Sequence, residues 1–385
     1  MNTDYLLPNP RVQPLTIHSA AGCYVFDGDG RRYLDLVSGI GVNALGHNHP
    51  RITTAIADQA RLCIHTSNLY SHPYQATLAG ELCRIARLDR ALFTNSGTEA
   101  TEAALKLARC YGSARDRSKT HLVALRGSFH GRTRGALAIA GQRSLHEPFA
   151  PYATEVTFVA PNDESALESA VGKRTAALLL EPVLGEGGVY PLTPSFLNAA
   201  RQATQRHAAL LVVDECQTGL GRTGMPFAFQ WGGIRPDIVT IAKPLAAGLP
   251  LGAVLFTELV SVSFPPGTHA TTFGGGPLAC RIALEFLGML DDLLPHIRHV
   301  GDQIRAGLEA IRSRRNVIQE VRSRGLMIGI HLDRSGHSFV RRALDRGLLI
   351  NCTQECVIRL LPPYILTCEQ AKEGLEILDE VLAEA

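Results

Sequence analysis

Between residues 90 and 256 the chain alternates short, continuously apolar runs with stretches of helical periodicity, and this alternation constrains the fold most strongly. The runs are rich in Val, Leu, Ile and Ala without regular polar alternation, which is typical of strands covered on both faces. The seven runs are ALFTN (91–95), HLVALR (121–126), TFVA (157–160), TAALLLE (175–181), ALLVVD (ending at Asp214), DIVTIAK (237–243) and AVLF (253–256). Strand–helix alternation of this kind predicts an α/β fold with a mostly parallel central sheet.

The segments between these runs carry the signals of helices. An apolar stripe follows residues 98–112, and Thr193-Pro194 is typical of an N-cap followed by a proline at the first helical position. The stripe consists of Ala100, Ala103, Ala104, Leu107 and Ala108. We therefore predict one helix over residues 98–112 and another from Pro194 to about His207.

Beyond about residue 276 the pattern changes to two long helical segments, short strands near 325–332 and 356–361, and a closing helix from Cys368. The first 45 residues also carry short strand signals of their own. These changes predict two domains. The expected units are a large α/β domain over residues 46–276 and a smaller α+β domain formed by residues 1–45 together with 277–385.

Composition excludes several classes of protein. The 385 residues include 38 Lys plus Arg and 36 Asp plus Glu, and this net charge of +2 gives no electrostatic argument for a nucleic-acid or membrane partner. No apolar run approaches the ~18 residues that a transmembrane helix requires. The start, MNTDYLLPNP, lacks the basic and apolar regions of a signal peptide. We therefore expect a cytoplasmic protein.

The cysteines and histidines do not form a metal-binding pattern. Of the nine cysteines only Cys352 and Cys356 lie close together, and no nearby ligand pair completes a zinc motif. His47 and His49 have a spacing that could ligate a metal, but Pro50 favours a turn there. We expect reduced thiols and no metal site.

Two glycine-rich segments match a dinucleotide fingerprint, Gly39-x-Gly41-x-x-Ala44 and Gly219-x-Gly221-x-x-Gly224. Such a loop must open a helix whose N-terminus receives the pyrophosphate. LGHNHP follows the first segment and Met225-Pro226 follows the second, and neither is typical of a helix start. A nicotinamide-dependent oxidoreductase therefore stays as an alternative of another class.

The segment from Asn95 to Ala100 follows the run ALFTN and leads directly into the predicted helix over residues 98–112. Small residues and hydroxyls at the positive end of a helix dipole are typical of a phosphate site. The same residues also suit an ordinary Ser/Thr cap. The sequence therefore leaves both interpretations open at this point.

Two charged residues end apolar strands: Asp214 ends ALLVVD and Lys243 ends DIVTIAK. In a parallel sheet both would emerge at the carboxyl edge, where ligands bind. Either charge alone could simply reach solvent. A lysine in apolar surroundings forms Schiff bases, and a carboxylate can keep a pyridine nitrogen protonated, so the two together favour pyridoxal phosphate.

From about Tyr33 to the C-terminus the chain resembles the class III (ornithine-type) aminotransferases of fold type I, most closely the members that act on acetylornithine. Nine motifs in the family's order are more specific than any single one. They are SGIGVNALGHNHP, SNLY, TNSGTEATEAALKLAR, GSFHGRT, LLLEPVLGEGGV, VVDECQTGLGRTG, IAK, TTFGGGPLAC and RLLPP. The resemblance implies pyridoxal 5′-phosphate as cofactor, a homodimer with shared active sites, and a step of arginine biosynthesis.

The resemblance also implies cofactor roles. Lys243 matches the lysine that forms the Schiff base and afterwards moves a proton, and Asp214 matches the carboxylate at the pyridinium nitrogen. The remaining matches are Ser96, Gly97 and Thr98 at the phosphate, Phe129 on the ring face, Glu215 beside Asp214, Gln217 on the phenolic-oxygen side, and Thr272 reaching the phosphate of the neighbouring subunit.

Substrate roles follow from the same resemblance. The implied reaction moves the δ-amino group of N2-acetyl-L-ornithine to 2-oxoglutarate by a ping-pong route. Arg132, with Thr271 nearby, matches the anchor for the carboxylate of the amine donor. Tyr70 lies in the loop SNLY, which matches a loop that contacts the acyl group of the donor. Arg359 matches the arginine that binds glutamate or 2-oxoglutarate, and Glu186 matches the acid that pairs with it while the amine donor is bound.

Several positions depart from the family's usual residues, and none of them removes a catalytic group. They are Thr98, Cys216, Pro244, Ala246, Ala247 and Gly276. Because the lysine loop and the interface threonine border the amine pocket, the alternatives to N2-acetyl-L-ornithine as donor are succinylornithine, ornithine, a carrier-bound lysine and 4-aminobutyrate. A non-catalytic relative kept as a regulator is a third alternative, against which the intact Lys243 and Asp214 argue.

Overall fold

The computed structural model describes residues 5, 7, 9 and 13–384, and its elements follow the predicted alternation of strands and helices. The strands are β1 (Ser19–Ala21), β2 (Tyr24–Phe26), β3 (Arg32–Asp35), β4 (Arg90–Thr94), β5 (His121–Leu125), β6 (Val156–Val159), β7 (Thr175–Leu180), β8 (Val183–Leu184), β9 (Tyr190–Pro191), β10 (Leu210–Asp214), β11 (Ile238–Ile241), β12 (Gly252–Phe256), β13 (Ile318–Arg324), β14 (Met327–Leu332), β15 (Leu348–Leu349), β16 (Asn351–Thr353) and β17 (Val357–Leu360).

The helices lie between and after these strands. The α-helices are α1 (Ser38–Gly41), α2 (Pro50–Leu62), α3 (Pro73–Ala86), α4 (Gly97–Arg115), α5 (Arg134–Ala138), α6 (Arg143–His146), α7 (Glu164–Ala170), α8 (Pro194–Arg206), α9 (Glu258–Ser261), α10 (Pro277–Arg312), α11 (His337–Asp345) and α12 (Cys368–Ala383). Short 3₁₀ helices cover Glu147–Phe149, Ala228–Gly232 and Lys243–Ala246.

A seven-stranded sheet with the order β4-β12-β11-β10-β7-β5-β6 forms the centre of the molecule. Each of the seven apolar runs forms one of its strands, and five strands are buried along their whole length. All neighbours are parallel except β12, which is antiparallel to both β11 and β4. Only residues 242–251 connect β11 to β12, which is too short for the crossover that a parallel pair needs. The predicted, mostly parallel α/β fold is confirmed.

Helix α4 presents its predicted apolar stripe to the sheet, and all five residues of that stripe are buried. Helix α8 begins where Thr193-Pro194 predicted, because the Thr193 hydroxyl accepts the N–H of Phe196 at 3.1 Å. Both helix predictions are confirmed. The small residues of the α4 stripe allow the helix to lie close to the strands that carry the site.

The two helices predicted after residue 276 are one continuous helix, α10, and that prediction is wrong. The helix of 36 residues continues through Pro295, whose missing N–H costs a helix interior about 3 kcal/mol. Its buried face continues on both sides of the proline, through Leu290, Leu294 and Ile297. Each such side chain contributes roughly 1.5–3 kcal/mol on burial, which outweighs the lost bond. The predicted strands β14 and β17 and the closing helix α12 do form.

Residues from both halves of the chain share one of the smaller sheets. Strand β15 pairs in parallel with β3 in a sheet of order β1-β2-β3-β15, and a second sheet has the order β13-β14-β17-β16. The domain boundaries at 45/46 and 276/277 stay predictions. The prediction made for the first ten residues falls largely outside the described residues. Within the described part, no helix is both long and apolar enough to cross a membrane.

Candidate active site

Loops from five strands of the central sheet meet at one edge. They follow the carboxyl ends of β4, β5, β7, β10 and β11, which point the same way because these strands are mutually parallel. Contacts between residues of different loops connect them. His130 forms a hydrogen bond with Asp214, Phe129 donates one to Glu181, and Gly97 packs against Cys216. The edge predicted for Asp214 and Lys243 is therefore built from several separate segments.

Asp214 is buried at the end of β10 and forms an ion pair with His130. Its Oδ2 lies 2.8 Å from His130 Nδ1, and its Oδ1 accepts the N–H of Cys216 at 3.0 Å. Burial acts to raise the pKa of Asp214, but the hydrogen bond and charge of His130 outweigh it and lower that pKa. Burial likewise opposes the charged form of His130, while Asp214 and Glu181 raise its pKa above the usual value. The contact therefore favours the ionised form of Asp214 and the protonated form of His130.

His130 was not among the predicted site residues, although it lies in the segment GSFHGRT. Sequence spacing could not connect it to Asp214, because the two residues are 84 positions apart. Its Nε2 is buried and has no partner among the described residues. A buried charged group facing an acidic strand end is the signal that would have identified it.

Lys243 is the first residue of the 3₁₀ helix after β11. Burial lowers the pKa of Lys243, and the charge of Arg359 lowers it further, while Glu186 opposes the shift. A lysine acts as a nucleophile or base only in its neutral form, so a lowered pKa suits either role. Burial raises the pKa of the nearby Cys216 well above its usual value, which makes that thiol a poor nucleophile.

The turn before α4 forms the predicted Ser/Thr cap, while its role as a phosphate site stays a prediction. Ser96 caps the helix by accepting the N–H of Glu99 at 3.3 Å, and Glu99 accepts the N–H of Asn95 at 2.6 Å. A Cβ on Gly97 would lie 2.9 Å from Cys216 Sγ, so only glycine lets the helix start so close to the end of β10. The positive end of a 19-residue helix therefore lies beside the Asp214 loop.

Phe129 is half-buried in the loop after β5, and its N–H donates to Glu181 Oε1 at 2.9 Å. The other oxygen of Glu181 accepts the N–H of Gly185 at 3.1 Å. Burial raises the pKa of Glu181 to about 7, and the charge of His130 opposes this shift. Sequence analysis missed Glu181, which connects the Phe129 loop to the loop that carries Glu186.

Arg359 and Glu186 form a second ion pair at this edge. Arg359 is 1% exposed, and its Nη1 lies 2.6 Å from Glu186 Oε1 and 3.3 Å from Gln217 Oε1. The side chains of Thr353 and Gln354 donate to the backbone carbonyl of Glu186 at 2.7 and 2.8 Å. The backbone of Glu186 is thus held while its carboxylate faces the arginine.

Thr271 contacts the turn before α4, while Thr272 and Tyr70 are exposed. The Thr271 hydroxyl accepts from the Asn95 side chain at 3.1 Å, and Asn68 donates to the Thr271 carbonyl at 2.7 Å. These two bonds tie the segment that carries Tyr70 to the turn before α4. The side chains of Thr272 and Tyr70 themselves reach solvent in this chain.

Glu215 is directed away from the Asp214 carboxylate. Its own carboxylate accepts from the Thr218 hydroxyl at 2.5 Å and from the N–H of Phe229 at 2.8 Å, within the loop after β10. Burial raises the pKa of Glu215 to about 7. These contacts indicate that Glu215 stabilises its own loop and does not contact the cofactor.

Neither dinucleotide fingerprint opens a helix as a Rossmann loop must. Gly39 and Ile40 both have left-handed backbone angles within the four residues of α1. In the second segment the buried Arg222 donates to the carbonyls of Leu326 and Pro362, and a 3₁₀ helix at Ala228–Gly232 follows. The nicotinamide alternative therefore lacks its structural requirement.

The described residues contain no group of three or more His, Cys, Asp or Glu side chains that could hold a metal ion. His47 lies 3.0 Å from Asp35, and Pro50 begins α2 directly after His49. All nine cysteines are free thiols.

Comparison with known proteins identifies the family. The family model "Aminotransferase class-III" matches residues 7–382. The chain is 44% identical to an acetylornithine aminotransferase of Bordetella bronchiseptica, over 95% of this chain and 94% of that protein. The chain belongs to the class-III aminotransferases. These enzymes are in general pyridoxal-phosphate-dependent transaminases.

Two further class-III aminotransferases extend the comparison. The acetylornithine aminotransferase of Aquifex aeolicus is 40% identical over 98% of this chain and the whole of that protein. The crystal structure of the ornithine aminotransferase of Toxoplasma gondii matches with a TM-score of 0.95 at 30% identity, covering 99% of this chain and 93% of that one. The predicted resemblance and the fold type I architecture are confirmed.

Proposed function

We propose that this class-III aminotransferase moves the δ-amino group of N2-acetyl-L-ornithine to 2-oxoglutarate, with pyridoxal phosphate as its cofactor. The buried Arg359–Glu186 pair is the observation that carries the proposal, since it offers an arginine that a substrate carboxylate can claim in only one half-reaction. The donor is suggested by two relatives, named acetylornithine aminotransferases, at 40% and 44% identity.

The described residues fit pyridoxal phosphate. Gly97 leaves no room for a Cβ beside the loop after β10, so the first turn of α4 can offer backbone N–H groups to a phosphate there. Lys243 would hold the cofactor covalently. The others that would hold it are Ser96, Gly97 and the backbone N–H of Thr98 at the phosphate, Phe129 on the ring, Asp214 at the ring nitrogen and Gln217 on the phenolic side. When bound, pyridoxal phosphate supplies an aldehyde that condenses with amines and a ring that accepts an electron pair.

Asp214 would hold a proton on the ring nitrogen. The His130 contact lowers its pKa despite burial, so the carboxylate stays ionised and attracts a positive charge. His130 cannot turn away to solvent, because both side chains of the pair are almost fully buried. His130 thus holds the negatively charged Asp214 carboxylate in a fixed position at the end of β10.

Lys243 would act as the base. With its pKa lowered by burial and by Arg359, a neutral Nζ can take a proton from the δ-carbon of the donor and hold it within the site. Lys243→Ala should therefore remove turnover entirely, whichever donor is used.

The two arginines would divide the substrates between them. Arg132, exposed and lying over the Phe129 ring, would bind the α-carboxylate of the amine donor. Arg359 would stay paired with Glu186 in that half-reaction. When glutamate or 2-oxoglutarate enters, the Glu186 carboxylate would move aside and Arg359 would bind the substrate carboxylate instead.

A donor panel tests the substrate. The donors to compare are N2-acetyl-L-ornithine, succinylornithine, ornithine, a carrier-bound lysine and 4-aminobutyrate, each with 2-oxoglutarate as acceptor. We expect kcat/KM to be highest for N2-acetyl-L-ornithine. The match to an ornithine aminotransferase structure makes free ornithine the alternative to compare first. A higher kcat/KM for ornithine or any other unacylated donor would overturn the choice of donor, and Lys243→Ala is the background control.

A cytoplasmic homodimer with shared sites completes the proposal. The exposed Thr272 and the nine free thiols support it. Mixing Lys243→Ala subunits with Thr272→Ala subunits should produce heterodimers in which one site has both residues intact. Recovery of activity above that of either variant is the expected result, and no recovery despite subunit exchange would contradict shared sites.

A further inference from the structure

Two side chains of helix α4 hold the backbone of the loop that carries Arg132. The hydroxyl oxygen of Thr98 accepts the N–H groups of Arg132 and Thr133 at 3.2 and 3.4 Å. One helical turn later, Glu102 Oε1 accepts the N–H groups of Gly135 and Ala136 at 2.9 and 3.2 Å. We call Thr98 and Glu102 together the α4 latch.

The hydroxyl protons of the α4 latch have only one consistent arrangement. Thr133 Oγ1 lies 2.5 Å from Glu102 Oε1, and a carboxylate only accepts, so Thr133 donates to Glu102. Thr133 Oγ1 also lies 3.1 Å from Thr98 Oγ1, so Thr98 must donate its one proton to Thr133. The Thr98 hydroxyl is therefore committed to the loop and has no proton left for a phosphate.

Glycine stands at both loop positions that the α4 latch approaches most closely. A Cβ on Gly131 would lie 2.1 Å from Thr98 Oγ1, and a Cβ on Gly135 would lie 2.3 Å from Glu102 Oε2. The φ of Gly131 is +131°, which side chains rarely adopt. The close approach to α4 therefore requires glycine at position 131, and a side chain at position 135 would displace the Glu102 carboxylate.

These contacts fix the backbone of the loop that carries Arg132, while its guanidinium stays exposed. Arg132 reaches solvent, and its guanidinium carbon lies 5.5 Å from the centroid of the Phe129 ring. Fixing the main chain of such an anchor lowers the entropy lost when a carboxylate binds to it.

We propose that Thr98 and Glu102 are positioning residues that set the affinity of Arg132 for the α-carboxylate of the amine donor. This inference rests on the proposed function, in which Arg132 binds that carboxylate. Thr98 and Glu102 would thereby act on the amine half-reaction, while the glutamate half-reaction depends on Arg359.

Thr98→Val tests the α4 latch, because it removes the hydroxyl and keeps the shape of the side chain. At saturating pyridoxal phosphate we expect the KM for N2-acetyl-L-ornithine to rise roughly five- to tenfold, as for the loss of a hydrogen bond. In Glu102→Ala, at a position outside the proposed cofactor residues, the KM for glutamate and both kcat values should stay within about twofold of wild type. Thr98→Ser, which keeps the hydroxyl, should restore the low donor KM. Glu102→Gln, which keeps an oxygen acceptor, should have a lower donor KM than Glu102→Ala.

Thr101→Val is the matched control on the same helix. Thr101 is buried, and its hydroxyl has no partner within the described part of the chain, so its loss should change neither KM. Amide hydrogen exchange gives a readout independent of turnover. The N–H groups of Arg132 and Thr133 should exchange faster in Thr98→Val than in Thr101→Val.

The outcomes separate this inference from the proposed function. If Arg132→Ala raises the donor KM and Thr98→Val does not, the role of the α4 latch is overturned while that of Arg132 stands. If Arg132→Ala leaves the donor KM unchanged, both are overturned. An equal rise in the KM for the donor and for glutamate in Thr98→Val would also contradict positioning, because it indicates a general distortion.

Discussion

Two buried ion pairs lie at the same edge of the central sheet, and they differ in the solvent exposure of their side chains. In the His130–Asp214 pair the side chains are 1% and 9% exposed, and Asp214 also accepts a backbone N–H. In the Arg359–Glu186 pair the arginine is 1% exposed but the glutamate is 19% exposed. In the first pair, here named the closed pair, both partners are buried. In the second, the open pair, Glu186 reaches the solvent.

This difference suits the two pairs to opposite tasks. Removing one partner of a buried pair leaves an unpaired charge and costs roughly 3–5 kcal/mol, unless another charge takes its place. In the proposed function, a substrate carboxylate would replace Glu186 from the exposed side of the pair. Neither His130 nor Asp214 is open to such replacement, so the Asp214 carboxylate stays in place.

The largest effect is expected when the closed pair loses its negative charge. Asp214→Asn should lower kcat by roughly 10²–10³-fold in both half-reactions, because a preorganised charge is lost from a water-poor site. Single-turnover rates with N2-acetyl-L-ornithine and with glutamate measure this. A loss confined to one half-reaction would mean that Asp214 serves one substrate and not the cofactor.

The open pair should respond asymmetrically. Glu186→Gln removes the acid that neutralises Arg359 during the amine half-reaction, so kcat/KM for the amine donor should fall roughly tenfold. The value for glutamate should stay the same or rise, since its carboxylate no longer competes with Glu186. Equal losses for both substrates would refute the alternation of Arg359 between partners.

The closed pair should also have a pH signature in stability. The pKa of Asp214 is lowered from 3.8, so its contribution is present above that value and is lost as pH falls through the folded pKa. The pKa of His130 is raised from 6.5, so its contribution is present below that value and is lost as pH rises through the folded pKa. The unfolding free energy that His130→Asn removes should therefore be largest between about pH 4 and 6.5. Urea titrations at several pH values measure it, and a difference that does not change with pH would contradict the ionised pair.

The smallest effect on activity is expected at Glu215. This buried carboxylate accepts hydrogen bonds from two uncharged donors, the Thr218 hydroxyl and the Phe229 N–H. Its pKa is raised from 4.5 to about 7, so its stabilising contribution is present below 4.5 and is lost as pH rises through 7. Glu215→Gln should remove that loss and change kcat/KM by less than about twofold, since the residue faces its own loop. A large fall in activity would return Glu215 to the cofactor site.

The sequence was sufficient for features that depend on local pattern. Lys243 and Asp214 each end a continuous apolar run, and the parallel arrangement of those runs brings both residues to one edge. The small and hydroxyl-bearing residues before α4 likewise predicted where that helix begins, because such residues are typical of helix caps. These predictions needed only strand periodicity and cap chemistry.

Features that depend on tertiary contacts could not be predicted. His130 and Glu181 are defined as site residues by partners 84 and 52 positions away in the chain. The continuation of α10 through Pro295 depends on what its apolar face packs against. Sequence patterns report the period of an element, but not which distant charge will lie beside it.

The most direct test of the account is a titration of the holoenzyme with each substrate, followed by cofactor absorbance, in wild type and in Arg359→Lys. The lysine keeps the charge but cannot form the two parallel hydrogen bonds of a guanidinium. We predict that Arg359→Lys weakens glutamate binding by at least about tenfold and changes N2-acetyl-L-ornithine binding by less than about twofold. Equal weakening of both substrates would contradict the claim that Arg359 serves one half-reaction and is paired with Glu186 in the other.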